Sequence, residues 1–229
     1  MTEKLALVGF FVVVGVAYNV MYLGAAAATA RVFRVAVQSF VLGWGPVLLR
    51  RGAFRLHAVP LSAYFEPAYR ESLTPVDPAS EMGKALERRE LRWFDDLSWP
   101  AAALLMSLSV WVAVLVAVVG LGVGPAVEAT LGAVRSYLVG AVGPLSEAPR
   151  LLDAALSYCR AASVLEALGA AFAVLAGVNL LLLPGNVLFV AAIKAKRRGP
   201  LYAKAVLMIL PLVLGVAWLV GLVVWMARA

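Results

Sequence analysis

Cysteine and histidine are almost missing from this chain: Cys159 and His57 are the only ones among 229 residues. One thiol excludes an internal disulfide and any multi-cysteine metal site, so Cys159 reads as a small apolar packing residue. Charge is scarce too. Charged residues make up 14% of the chain and hydrophobic ones 63%, whereas soluble proteins average about a quarter charged and about half apolar. That composition excludes a soluble globular protein and predicts an integral membrane protein. No internal repeat or low-complexity tract appears, and residues 1–229 read as a single integral membrane domain. Richness in Ala, Val, Leu and Arg suggests a high-GC bacterial genome.

What is present is a set of long apolar runs. A helix needs about 20 apolar residues to cross about 30 Å of hydrocarbon, and four runs meet that length, at about 5–29, 99–123, 165–183 and 205–226. The first is too long, and too free of a small-residue cleavage site, to read as a removable signal peptide. Basic residues then orient the chain. Residues 30–97 hold ten of the twenty Lys and Arg, and residues 184–204 hold five more, Lys194, Lys196, Arg197, Arg198 and Lys204. Both segments are expected in the cytoplasm, with both termini outside and the chain in the cytoplasmic (inner) membrane. The net charge of +7 then follows from topology and from anionic membrane lipids, and nucleic acid is not an expected partner.

The segments between the spans have patterns of their own. From Val35 to Phe65 the periodicity drops towards two. Short strands are expected there, punctuated by Gly43, Gly45 and Pro46 and turned at Arg51-Gly52. Open strand edges cannot face lipid, so this element is expected to be re-entrant or interfacial, with cytoplasmic sheet and loop together spanning 35–97. Residues 66–92 read as a cytoplasmic loop leading into a short charged helix. An outer interfacial segment, 124–160, is apolar but interrupted by Pro125, Pro144 and Pro149, and reads as amphipathic helices. The expected fold class is an all-α membrane protein of about four transmembrane helices, with the small β element between the first and second.

Several stretches resemble the site-2 protease family of intramembrane zinc metalloproteases. F-V-L-G-W-G-P-V-L-L-R-R-G (Phe40 to Gly52) is similar to that family's F-x-x-G-F-G-P-x-L segment, and L-H-A-V-P-L-S-A-Y-F (Leu56 to Phe65) to its L-x-x-x-P-L-G-G-Y-V strand. Leu91 to Leu105 resembles the approach to the family's second helix, Gly140 to Ser146 a segment ahead of the third, and Val187 to Leu201 the stretch leading into the fourth. N-L-L-L-L-P-G-N-V-L-F-V, Asn179 to Val190, resembles the unwound turn N-L-L-P-x-P-x-L-D-G-G of the third helix. The family's zinc-binding Asp falls there at Leu183 or Val187. Its His-Glu-x-x-His motif, which places two imidazoles on one helix face and a Glu beside the bound water, falls on Tyr22 to Ala26 without gaps, or on Tyr18-Asn19-Val20-Met21-Tyr22 one helical turn earlier. The second placement keeps a polar pair at i and i+4.

The resemblance thus implies the fold without the reaction. A catalytic zinc takes about three protein ligands and an open position, and Tyr or Asn are poor substitutes. No Ser or Cys nucleophile has an intramembrane base, and a lone strand histidine such as His57 is more often structural. The chain is expected to be no enzyme but a pseudoprotease, without catalytic residues, metal or cofactor, binding a transmembrane protein as adaptor, assembly factor or subunit of a larger complex. The expected partner cleft comprises Tyr18, Asn19, Tyr22, Phe54, Leu56, His57, Tyr64, Asn179, Pro184, Gly185 and Asn186. The strand Phe54 to Phe65 would offer an edge for strand addition. Two alternatives stand beside this reading: a transporter or channel component using a broken third helix, and a residual intramembrane protease with ligands donated by a partner.

Overall fold

The computed structural model describes residues 2–70, 76–144, 146–195 and 199–228, with backbone alone at 192, 193, 195 and 199–212. Residues 71–75 of the expected loop, Leu145 of the 140–146 segment and the basic residues Lys196, Arg197 and Arg198 lie outside the described residues, as does the Lys204 side chain. The elements run α1 (Thr2–Val32), β1 (Val37–Arg51), β2 (Phe54–Pro67), α2 (Glu81–Glu87), α3 (Trp99–Leu121), α4 (Val123–Val142), α5 (Glu147–Ala161), α6 (Val164–Ala195) and α7 (Gly199–Ala227). Three described helices are long and apolar enough to cross a membrane: Thr2–Val32, Trp99–Leu121 and Val164–Ala191. Their exposed residues include Val13, Leu115, Val119 and Val174, which suits contact with lipid better than water. The expected fourth run falls within the 29-residue α7.

Two compact units divide the chain. The first comprises Met1–Val14, Ser109–Ala192 and Arg198–Ala229. Its helices meet at small residues. A Cβ at Gly120 would lie 2.7 Å from the Gly169 Cα, so α3 and α6 touch backbone to backbone there, the contact that small residues allow between helices. Gly177 lies in the same way against the Thr130 carbonyl of α4. Helix α4 packs on α7 through Tyr137 and Trp218, whose rings stack at 6.0 Å while the indole N–H donates to the Tyr137 carbonyl at 2.8 Å. At the polar end, buried Trp225 donates to Asp153 at 2.6 Å. The Lys4 ammonium donates to the Trp225 carbonyl at 2.6 Å and to the Arg228 carbonyl, capping the C-terminus of α7, and Arg160 pairs with Glu3. Pro125 and Pro149 lie in the first turns of α4 and α5, where a missing N–H costs nothing. They begin helices here rather than interrupt them.

Helix α6 corrects one expectation. It is helical from Val164 to Ala195, straight through Pro184, so Asn179 to Val190 contains no unwound turn. Asn179 spends its amide inside the helix, donating to the Leu175 carbonyl at 2.8 Å. Pro184 removes a single backbone donor, a loss that apolar spans tolerate. The broken third helix on which a transporter site would rest is absent.

The second unit comprises Gly15–Leu108 and Ile193–Arg197. Here α1 ends in a tight cap. Arg34 takes φ +54, Arg34 N–H bonds to the Arg31 carbonyl at 3.1 Å, and Val35 N–H reaches back to the Ala30 carbonyl at 2.8 Å. This is the Schellman pattern, with arginine where glycine is usual. The chain then enters a hairpin of 15- and 14-residue strands, longer than the short strands expected, turning at Gly52 with φ +57. Its base is stitched to the segment before α3. Ala36 N–H donates to the Arg92 carbonyl at 3.0 Å, Ala68 N–H to the Ala36 carbonyl at 2.8 Å, and Phe94 N–H to the Ala68 carbonyl at 2.8 Å. Ala36, Ala68 and Leu86 are the buried centre of this corner, with Met82, Leu91 and Trp93 packed around it.

Candidate functional site

The hairpin does not lie flat. Phe40, Val41 and Leu42 pair with Phe65, Tyr64 and Ala63, and the same three residues also pair with Phe54, Arg55 and Leu56. In the first set the partner numbers fall as β1 advances; in the second they rise together. The tip has therefore folded back along the free edge of its own base, and Phe40 N–H donates to the Ala53 carbonyl at 2.8 Å. Two glycines make this fold possible. Gly43 and Gly45 take φ +93 and +91, backbone that side chains with a Cβ rarely adopt. At Gly43 a Cβ would also lie 2.5 Å from the Val59 carbonyl oxygen. His57 holds the bend: its Nδ1 lies 2.6 Å from the Gly45 carbonyl. A carbonyl only accepts, so Nδ1 carries the proton.

Some of the residues expected to line a cleft meet on this sheet. Tyr18 and Tyr22, one turn apart on α1, stack at 6.4 Å. Tyr22 meets Phe65 at 6.4 Å, and Phe65 in turn stacks on Phe40 at 6.4 Å. Asn19 is buried and donates to the Pro60 carbonyl of β2 at 3.4 Å. The polar i, i+4 face of α1 is thereby joined to the hairpin base by an aromatic run in which Phe40 and Phe65 were not foreseen, although both lie in the two strand stretches singled out from sequence. Tyr64 is exposed, while Phe54, Leu56 and His57 are half-buried in the folded tip.

Asn179, Pro184, Gly185 and Asn186 all lie on α6 in the first unit. Pro184 is exposed, Gly185 buried and Asn186 half-buried.

The expected edge changes as well. Residues 54–56 have ladder partners on both sides, 49–51 and 40–42, so they have no edge left for an incoming strand. The outer half of β1 differs. Trp44, Val47, Leu49, Arg50 and Arg51 each pair once, with Val59, His57, Leu56, Arg55 and Phe54. This half is exposed throughout from Trp44 to Arg51, including Trp44 at 62% and Leu48 at 66%. Among the described residues this half of β1 pairs on one side alone, and a row of apolar side chains beside an open edge suits lipid or another chain better than water. Its sequence signal was the run of Val47, Leu48 and Leu49 directly before Arg50-Arg51.

Among the described residues no three of His, Cys, Asp and Glu come together as a metal-binding group. Cys159 is half-buried on α5, and burial pushes its thiol above the usual range, away from nucleophilic use. Comparison with protein-family models, with curated proteins and with solved structures gives no match.

Proposed function

We propose that this chain is a catalytically inactive, site-2-protease-like protein of the cytoplasmic membrane that captures a membrane-protein partner by strand addition. Four crossings, formed by α1, α3, α6 and α7, would place the hairpin at the cytoplasmic boundary as a re-entrant element. Both termini would lie outside. The observation that carries the reading is the hairpin between the first two long helices, seated by Phe65 and Pro60 on the Tyr18 to Tyr22 face of α1. That face is where the resemblance puts the zinc ligands, and it holds two tyrosines and an asparagine. A partner segment would pair with the outer edge of 44–51, main-chain bonds giving affinity and the exposed Trp44, Val47, Leu48 and Leu49 side chains giving selectivity. An apolar row flanked by Arg50 and Arg51 suits a transmembrane segment emerging from lipid at an anionic surface.

The test is Leu48→Pro, at the one position among 47–51 for which no ladder partner is assigned. Proline removes a main-chain N–H from the outer half of β1 at a position outside the ladder, away from the glycine bend and the α1 contacts. Purified in mild detergent, the variant is expected to melt as the parent does and to lose the membrane protein that co-purifies with it. A folded variant that keeps that partner would sink the strand-addition mechanism.

A further inference from the structure

We infer that the junction of α1 and α3 is a binding site for the phosphate group of an anionic phospholipid. A cavity of about 280 Å³ opens there, lined by Phe33, Arg34, Arg92, Leu97 and Ser98 with Val32 and Ala101 beside them. The backbone holds its two arginines together: Arg92 N–H donates to the Arg34 carbonyl at 2.7 Å, and Val35 and Arg92 form a bridge. Neither guanidinium has a carboxylate partner among the described residues. The nearby acids are engaged elsewhere. Arg70 takes Asp95 through its N–H at 2.8 Å and Asp96 through its guanidinium at 3.0 Å, and Glu90 lies 4.0 Å from Arg88. Lys194 adds a third positive charge beside the cavity, donating to the backbone carbonyls of Asp95 and Leu97.

Three features select the ligand. Guanidinium forks match phosphate oxygens in pairs. The remaining wall, from Val32, Phe33, Leu97 and Ala101, is apolar and suits glycerol and the start of an acyl chain. The cavity also lies where two helices long enough to span both end, with exposed Trp99 at the start of α3; aromatic residues in that position sit at headgroup level. This placement rests on α1 and α3 crossing the membrane, and not on partner capture.

The experiment measures phosphatidylglycerol binding to the detergent-purified protein by native mass spectrometry, with phosphatidylcholine and inorganic phosphate as competitors. Each arginine that meets the phosphate contributes about fivefold, so Arg34→Gly with Arg92→Gln should weaken phosphatidylglycerol binding about thirtyfold. The matched control for Arg34→Gly is Arg89→Gly, which leaves the Arg88–Glu90 pair in place. Arg89 has the same left-handed backbone, φ +60, at the end of α2 and does not line the cavity, so this substitution removes equal charge and should leave binding unchanged. Arg34→Gly alone relieves a strained backbone and stays folded, and about fivefold weaker binding by it carries the same meaning. Retention of phosphatidylglycerol against inorganic phosphate identifies the lipid as the source. Displacement by inorganic phosphate would overturn the lipid in favour of free phosphate, and equal weakening by Arg34→Gly and Arg89→Gly would overturn the site.

Discussion

Gly43 is the residue on which the shape of the sheet depends, because it meets two conditions at once: a φ of +93 and a Val59 carbonyl where its Cβ would go. Alanine there adds backbone strain of about 1 to 2 kcal/mol and a steric cost of similar size. Gly52 at the hairpin turn is the natural comparison, since it too has positive φ but open space around it. Gly43→Ala is therefore expected to lower stability by roughly 2 to 4 kcal/mol and Gly52→Ala by about 1, read from thermal unfolding in detergent. Equal losses would show that the tip does not fold back against Val59. At this scale the sequence was half legible. Gly43, Gly45 and Pro46 read as punctuation, and Arg51-Gly52 as a turn. The return of residues 54–56 to the edge of 40–42 was not readable, because alternation reports which face a residue takes and not which strand lies on either side of it. The Asn19 contact with Pro60 joins residues 41 apart, and no local spacing signals it.

Helices here are placed by contacts of small residues, and that principle separates what could be foreseen among the elements from what could not. Length and hydropathy find α1, α3 and α6 within a few residues at most ends, because an apolar run of that length has no other stable form in lipid. The far end of α6 escaped, since proline, glycine and asparagine together suggest a break. In the helix, Asn179 finds the Leu175 carbonyl and the chain continues to Ala195. The contact of α4 with α7 was equally hidden, since Gly140 has meaning only once Trp218 lies over it. A Cβ at Gly140 would fall within the Trp218 indole. Gly140→Val is accordingly expected to cost about 1 to 3 kcal/mol, and Gly140→Val combined with Trp218→Ala to cost less than the two changes summed. The coupling, measured as a double-mutant cycle on melting in detergent, should reach about 1 kcal/mol or more. Simple additivity would mean that α4 and α7 do not meet at this pair.

For the molecule as a whole, charge carries the information that apolar length cannot. Any of the long helices could run in either direction by hydropathy alone, yet fifteen of the twenty basic residues fall in 30–97 and 184–204, and Lys and Arg near span ends favour the cytoplasm. In the proposed orientation the described part of 30–97 would lie at the cytoplasmic surface. It holds an exposed arginine pair at the tip of the sheet, Arg50 and Arg51, and a second pair, Arg34 and Arg92, where α1 ends and α3 begins, both suited to an anionic leaflet. The segment between α3 and α6 has only Arg135, Arg150 and Arg160, and of these Arg150 and Arg160 are neutralised by Glu147 and Glu3. Single cysteines read the orientation directly, in a background where Cys159 is replaced by serine. Glu81 on α2 has a side chain 93% exposed whose ion pair is with Lys84 in the next turn, and Ser157 is exposed on α5, so both sites accept a reporter with little disturbance. In intact cells Ser157→Cys should react with a membrane-impermeant maleimide from outside, and Glu81→Cys only after the inner face is opened. The opposite pattern would invert the topology, placing the hairpin and the arginine cavity on the outer face and removing the anionic cytoplasmic leaflet from the account of both.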